Sequence, residues 1–128
     1  MTQTIFPALR YRDPRAAIEW LERALGFERD AIHESDDGTI GHAELSFRGN
    51  SIMLGAASDG DDGRMAGEFG PILTYIAVDE VDALHDRARD AGAEISMELT
   101  DQDYGSREFA VRDPERNVWS FGTYRPGA

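Results

Sequence analysis

The sequence contains no cysteine. Disulfides, thiolate metal centres and cysteine nucleophiles are therefore excluded. Basic residues are scarce beside acidic ones: 13 Lys+Arg against 25 Asp+Glu give a formal net charge of −12. That balance repels phosphate backbones, so no nucleic-acid partner is expected. It aids solubility and favours cationic ligands by long-range attraction. No apolar run approaches the ~20 residues needed to cross a bilayer. The opening Met-Thr-Gln-Thr-Ile-Phe-Pro has no basic stretch followed by an apolar one. No signal peptide and no membrane partner are expected, and the expected location is cytoplasmic. No serine sits in a nucleophile-elbow pattern, and no glycine-rich phosphate loop follows a strand.

What is present is a folded chain of 128 residues, 41% hydrophobic and 30% charged. That length makes one compact domain, or two small modules sharing a core. Two helices carry matching punctuation. The first opens at Asp13-Pro14, an N-cap followed by proline at the first helical position. Ala17, Ile18, Leu21, Ala24 and Leu25 form its apolar stripe, and Gly26 closes it. The second lies between Asp79 and Gly92, with Val81, Leu84, Ala88 and Ala91 as its stripe. Asp13 to Asp79 and Gly26 to Gly92 are both 66 positions. The same offset lays "TIGHAELSF" (39–47) on "GSREFAVRD" (105–113) with apolar parity preserved. It also lays Ile52 and Leu54 on Val118 and Ser120.

Each copy therefore reads strand, helix, three strands. The expected elements are 4–11, 14–25, 27–33, 39–47 and 51–55, then 71–78, 80–91, 94–100, 106–112 and 118–124. Between the copies, 56–69 is rich in Gly, Asp and Ala and reads as a linker. Its Asp59, Asp61 and Asp62 lack the glycine placement and terminal Glu of a calcium loop. A module of about fifty residues buries too little surface alone, so two copies must cover each other or a second chain.

The stretches "YRDPRAAIEWLERALGFE" (11–28) and "YGSREFAVRDPERNVWSFG" (104–122) resemble the vicinal oxygen chelate superfamily. That group comprises glyoxalase I, bleomycin-resistance proteins and extradiol dioxygenases, and the closing stretch is closest to the bleomycin-resistance-like members. The resemblance covers nearly the whole chain. It implies an α+β fold: a single domain over 1–128, built of two tandem βαβββ modules (about 4–55 and 70–124) whose curved sheets form a cup with helices outside. It also implies a homodimer, for which Trp20 and Tyr124 are candidate contacts.

Metalloenzymes of the superfamily place His, Gln or Glu on the first and last strands of each copy, converging on a divalent ion. Carried over by strand position, those places fall on Phe6, Leu54, Leu73 (or its neighbour Ile72) and Ser120. Leucine and phenylalanine have no lone pair to offer, and a lone serine hydroxyl is a weak ligand, so neither metal nor other cofactor is expected. In this reading Leu54 and Ser120 face the cup, while Met53, Trp119 and Phe121 face the helices. A displaced site at His42, Glu44 and Glu108 has suitable ligand types, and His42 with Glu44 or Glu108 is the one plausible acid–base pair. His33 and His85 read as surface residues.

The resemblance thus leaves two functions. The first is a metal-free binder of a small organic ligand, cationic or drug-like. Phe6, Ile52, Leu54, Leu73 and Val118 would form its apolar wall, and Arg10, His42, Glu44, Glu108, Arg112 and Ser120 its polar contacts. Tyr104 stands at the mouth, placed to stack on a planar ligand or cation. Arg107, on the parity of Phe109, is expected to pair with an acid near the helix. The alternative is a glyoxalase- or dioxygenase-type lyase, isomerase or ring-cleaving enzyme working at His42 and Glu108.

Overall fold

Each half of the chain runs strand, helix, three strands. The computed structural model describes residues 3–57 and 71–127. Most of the expected linker, with Asp59, Asp61 and Asp62, lies outside the described residues. The first half comprises β1 (Ala8–Tyr11), α1 (Pro14–Trp20) with a π-helical turn (Leu21–Leu25), β2 (Glu28–Glu34), β3 (Ile40–Phe47) and β4 (Asn50–Ala56). The second comprises β5 (Leu73–Ala77), α2 (Val81–Asp90), β6 (Glu94–Asp101), β7 (Arg107–Arg112) and β8 (Val118–Gly122). The two sheets have the same order, β1-β4-β3-β2 and β5-β8-β7-β6. In each, the first strand lies parallel to the last and the other pairs are antiparallel. The fold is the expected α+β arrangement of two βαβββ modules. The chain divides into two compact units, 1–22 with 26–70 and 23–25 with 71–128.

Local chemistry explains the elements. Asp13 Oδ1 accepts the Ala16 amide at 3.1 Å and Pro14 follows it, so α1 starts where the sequence says. Gly26 ends the helical run at φ 86°, a left-handed position that suits glycine. The β3–β4 hairpin closes on Arg48 and Gly49, both at positive φ, between paired Phe47 and Asn50. That is the two-residue turn whose twist matches the flanking strands.

The repeat has two one-residue slips that cancel. The N-caps of α1 and α2 are Asp13 and Glu80, 67 apart, whereas the closing Gly26 and Gly92 are 66 apart. The extra residue of the first helix is absorbed by the π turn, the usual way to insert one residue in a helix. At the other end, the β7–β8 turn spans Pro114 to Arg116 between Asp113 and Asn117, one residue longer than its counterpart. Ala43 and Phe109 are thus equivalent at 66, but Leu54 is equivalent to Phe121 at 67.

This corrects the expected facing of the fourth strand. Leu54 is 1% exposed and paired with Ala43, and Ile52 is paired with Leu45, all buried. Met53, paired with Glu44, points the other way. A gapless offset carried Ser120 onto Leu54 because it skipped the longer turn. Ser120, Trp119 and Phe121 face as expected: Trp119 and Phe121 are fully buried opposite Val111 and Phe109, and Ser120 is half-buried beside Ala110.

Two further expectations are overturned. Trp20 is 6% exposed, so its indole is core and is not free for a dimer contact. His85 is 5% exposed, not a surface residue. Its Nε2 lies 2.9 Å from Glu98 Oε1 on β6 and its Nδ1 3.1 Å from Asp86, with its ring edge-on to Phe109 at 5.3 Å. A polar residue on the helix stripe is accepted because each ring nitrogen lies within hydrogen-bond distance of a carboxylate. Arg107 behaves as expected and donates to Asp82 of α2 at 2.7 Å. That hydrogen bond is the main reason the Asp82 carboxyl lies below its ordinary range.

Candidate functional site

In the first unit, the sheet face away from the buried side chains carries His42 and Glu44 of β3. His42 Nε2 lies 2.8 Å from Glu44 Oε2, and the rings of His42 and His33, a cross-strand pair, are 5.6 Å apart. His33 is exposed, as expected. Arg10 of β1 lies over the same face: a Cβ at Gly55 would come within 2.5 Å of its guanidinium. Phe6 precedes β1 and is partly exposed.

In the second unit, the corresponding face holds Glu108, Ala110 and Arg112 of β7 beside Gly122, Ser120 and Val118 of β8. Tyr75 of β5 is paired with Ser120 on this face, and Leu73 with Val118. Arg112 is held by Glu94 at 2.9 Å. Tyr104 comes from the β6–β7 turn, which Gly105 closes at φ 87°. Its hydroxyl donates toward both Glu108 oxygens, at 2.9 and 3.0 Å. Tyr75 donates from its hydroxyl to the Tyr124 carbonyl at 2.7 Å. The rings of Tyr104 and Tyr124 stand 6.2 Å apart at 82°.

These side chains line an open pocket of about 580 Å³, formed by Tyr75, Tyr104, Glu108, Tyr124 and Pro126. Gly122 makes the arrangement possible. A Cβ there would lie 2.6 Å from the Tyr75 hydroxyl and 2.7 Å from Glu108 Cγ. Glu108 is only 8% exposed, and among the described residues its one hydrogen-bond partner is the Tyr104 hydroxyl. That bond is the main cause raising the Tyr104 phenol above its ordinary range, so the hydroxyl stays a proton donor at neutral pH. Burial chiefly raises Tyr75 in the same direction.

The residues do not fit the divalent centre that metalloenzymes of this fold hold. Phe6 and Leu73 are apolar and exposed, Leu54 is sealed in the core, and Ser120 offers one neutral hydroxyl. The corrected register puts Met53 in place of Leu54, a thioether beside hard-ligand chemistry. Among the described residues no group of three or more His, Asp or Glu is placed to hold a metal ion. His42 takes Glu44 as partner, and Glu108 takes Tyr104.

Of the residues singled out in the sequence, Tyr104 and Glu108 are brought into the cavity together. Leu73, Val118, Ser120 and Arg112 share their sheet face without lining it, while Ile52 and Leu54 are core. Tyr75 and Pro126 were missed as site residues, and Tyr124 was assigned to a dimer contact instead. Tyr75 was open to discovery: it is two residues beyond Leu73 on one strand, hence on the same face.

Among the described residues no helix is long and apolar enough to cross a membrane. A protein of Mycobacterium bovis, Mb0911c, is 31% identical over 125 residues, covering 91% of this chain and 80% of that one. The crystal structure of TioX from Micromonospora sp. ML1 superposes with a TM-score of 0.86 at 31% identity, covering 97% of this chain and all of that one. A glyoxalase-related enzyme from Clostridium phytofermentans shares the fold at a TM-score of 0.74 and 17% identity, covering 95% of each chain. The profile of the Glyoxalase/Bleomycin resistance protein/Dioxygenase superfamily matches residues 5–121, nearly the whole of the repeat, and the chain belongs to that superfamily.

Proposed function

We propose that this protein is a metal-free binder of a small organic molecule, with cations preferred over anions, and that the ligand sits in the tyrosine-lined cavity of the second unit. The observation that carries this is Glu108. It is a largely buried carboxylate whose partner in the cavity is a phenol and not a cation. Removing such a charge from water is costly unless a counter-charge arrives, and a bound cation supplies one. The surrounding rings give apolar area with a single polar focus, the usual composition of a small-molecule site. The −12 balance adds long-range attraction for the same class.

The test is a ligand panel read by thermal unfolding. A cationic compound at a hundredfold excess over its Kd should stabilise the fold by about 2.7 kcal/mol. An anionic compound of equal size should do less, and Glu108→Gln should weaken the cationic one. Zinc, nickel, manganese and iron(II) should give no comparable shift, and a chelator should remove nothing. Metal analysis finding one divalent ion per chain, lost in His42→Ala, would overturn this reading. The enzyme reading retains one supporting contact, the His42–Glu44 pair, and gains only if turnover is found that His42→Ala abolishes.

We also infer a homodimer, the assembly that membership of this superfamily suggests. Sedimentation at tens of micromolar, roughly where such dimers persist, checks it, and a monomer alone would rule it out.

A further inference from the structure

We propose that the cationic group of the ligand is a fully alkylated ammonium, a nitrogen with no N–H to donate, set against the tyrosine rings with Glu108 behind them. The inference rests on the binding reading above and names the chemistry of its ligand. Two features of the cavity decide it.

The first is what the walls can offer. Tyr104 and Tyr124 pack edge to face at 82°, 6.2 Å between centroids, and Tyr75 and Pro126 complete the lining. Ring faces attract a cation through their quadrupole but accept hydrogen bonds poorly. The second is how the polar groups are already engaged. The Tyr104 O–H bridges both Glu108 oxygens, and the Tyr75 O–H is spent on the Tyr124 carbonyl.

A primary ammonium is compact and strongly hydrated, and it brings three N–H donors that must find acceptors on leaving water. Here the Glu108 carboxylate, which keeps lone pairs beside its bond to Tyr104, can take only the donors that face it, and the ring walls leave the rest unsatisfied. An alkylated ammonium has no donors to satisfy and presents methyl groups to the rings. It still neutralises Glu108 through space. Gly122 keeps the carboxylate and Tyr75 close enough to share the site, since any side chain there would separate them.

The experiment is calorimetric titration of the full chain with ethanolamine, its N-methyl and N,N-dimethyl derivatives, and choline. The neutral isostere 3,3-dimethylbutan-1-ol serves as control. Affinity should rise with each methyl, and choline should exceed the neutral alcohol by about tenfold. Glu108→Gln should remove the difference between choline and the alcohol. Tyr124→Ala should weaken choline by a similar factor, and near-ultraviolet circular dichroism should show both variants folded. Ethanolamine binding as tightly as choline, or the alcohol matching choline, would overturn the inference while leaving the binding reading intact. No binding by any of the five also overturns it. The thermal panel then decides the broader reading: Glu108-dependent stabilisation by another cation keeps it, and none removes it.

Discussion

Replacing Asp113 by alanine should destabilise the fold by about 4 kcal/mol, the sum of a lost charge-assisted network and the donors it strands. Asp113 is 5% exposed and sits at the start of the β7–β8 turn. Its carboxylate accepts from the Glu115 amide at 2.9 Å, the Asn117 amide at 3.0 Å, the Asn117 side chain at 3.1 Å and Trp119 Nε1 at 3.1 Å. Trp119 is fully buried, so its indole N–H cannot turn to water when the acceptor goes. Each stranded buried donor costs about 1–3 kcal/mol, which bounds the sum because the groups relax together. For a domain whose whole stability is about 5–15 kcal/mol, that is a large share. Asp113→Asn keeps the shape and one carbonyl acceptor but turns an amide toward donors, so it should fall between. Urea midpoints at constant m-value would show this order. An Asp113→Ala variant within about 1 kcal/mol of the parent would mean that the turn holds without its carboxylate.

Adding one methyl group should separate stability from binding at two equivalent glycines. Gly55 and Gly122 occupy matching places, 67 apart, on the last strand of each sheet. At Gly55 a Cβ would run into the Gly41 carbonyl oxygen, a backbone atom that cannot swing away. Gly55→Ala should therefore cost stability, about 2–3 kcal/mol by analogy with overpacked cores. At Gly122 the obstacles are the Tyr75 hydroxyl and Glu108 Cγ, both side-chain atoms. They can move, but only by leaving the cavity's geometry. Gly122→Ala should keep most of its stability and lose ligand affinity roughly tenfold or more, at least about 1.4 kcal/mol. Paired melting and titration on the two variants checks the contrast. A Gly122→Ala protein that binds as the parent does would show that the Tyr75–Glu108 approach is irrelevant to the site.

The elements and their order were legible because each is written locally. Asp13-Pro14 and Gly26 mark a helix start and stop, and alternation at 43–47 marks a half-buried strand. The failures have one kind of cause. Leu54 was turned to the wrong face because the offset of 66, which holds from Gly26 through β3, skips the extra residue before Asn117. A strand's facing flips with one residue, so an offset right in the middle of each copy was wrong at its last strand. His85 was placed at the surface because a helix stripe read by hydropathy omits polar members. Its place on that stripe is allowed by Glu98, thirteen positions away on another element.

Composition and short-range pattern by themselves determined that there is no thiol chemistry, that the charge is strongly negative, and that the chain runs through two βαβββ copies. Tertiary structure alone decided where a ligand has room. Tyr75, Tyr104, Glu108 and Tyr124 are drawn from two strands, a turn and the chain that follows β8. No local propensity relates them. They meet because parallel pairing sets Tyr75 beside Ser120, antiparallel pairing sets Glu108 opposite Gly122, and the absent side chain of Gly122 lets Tyr75 and Glu108 close to a distance that sequence spacing cannot encode.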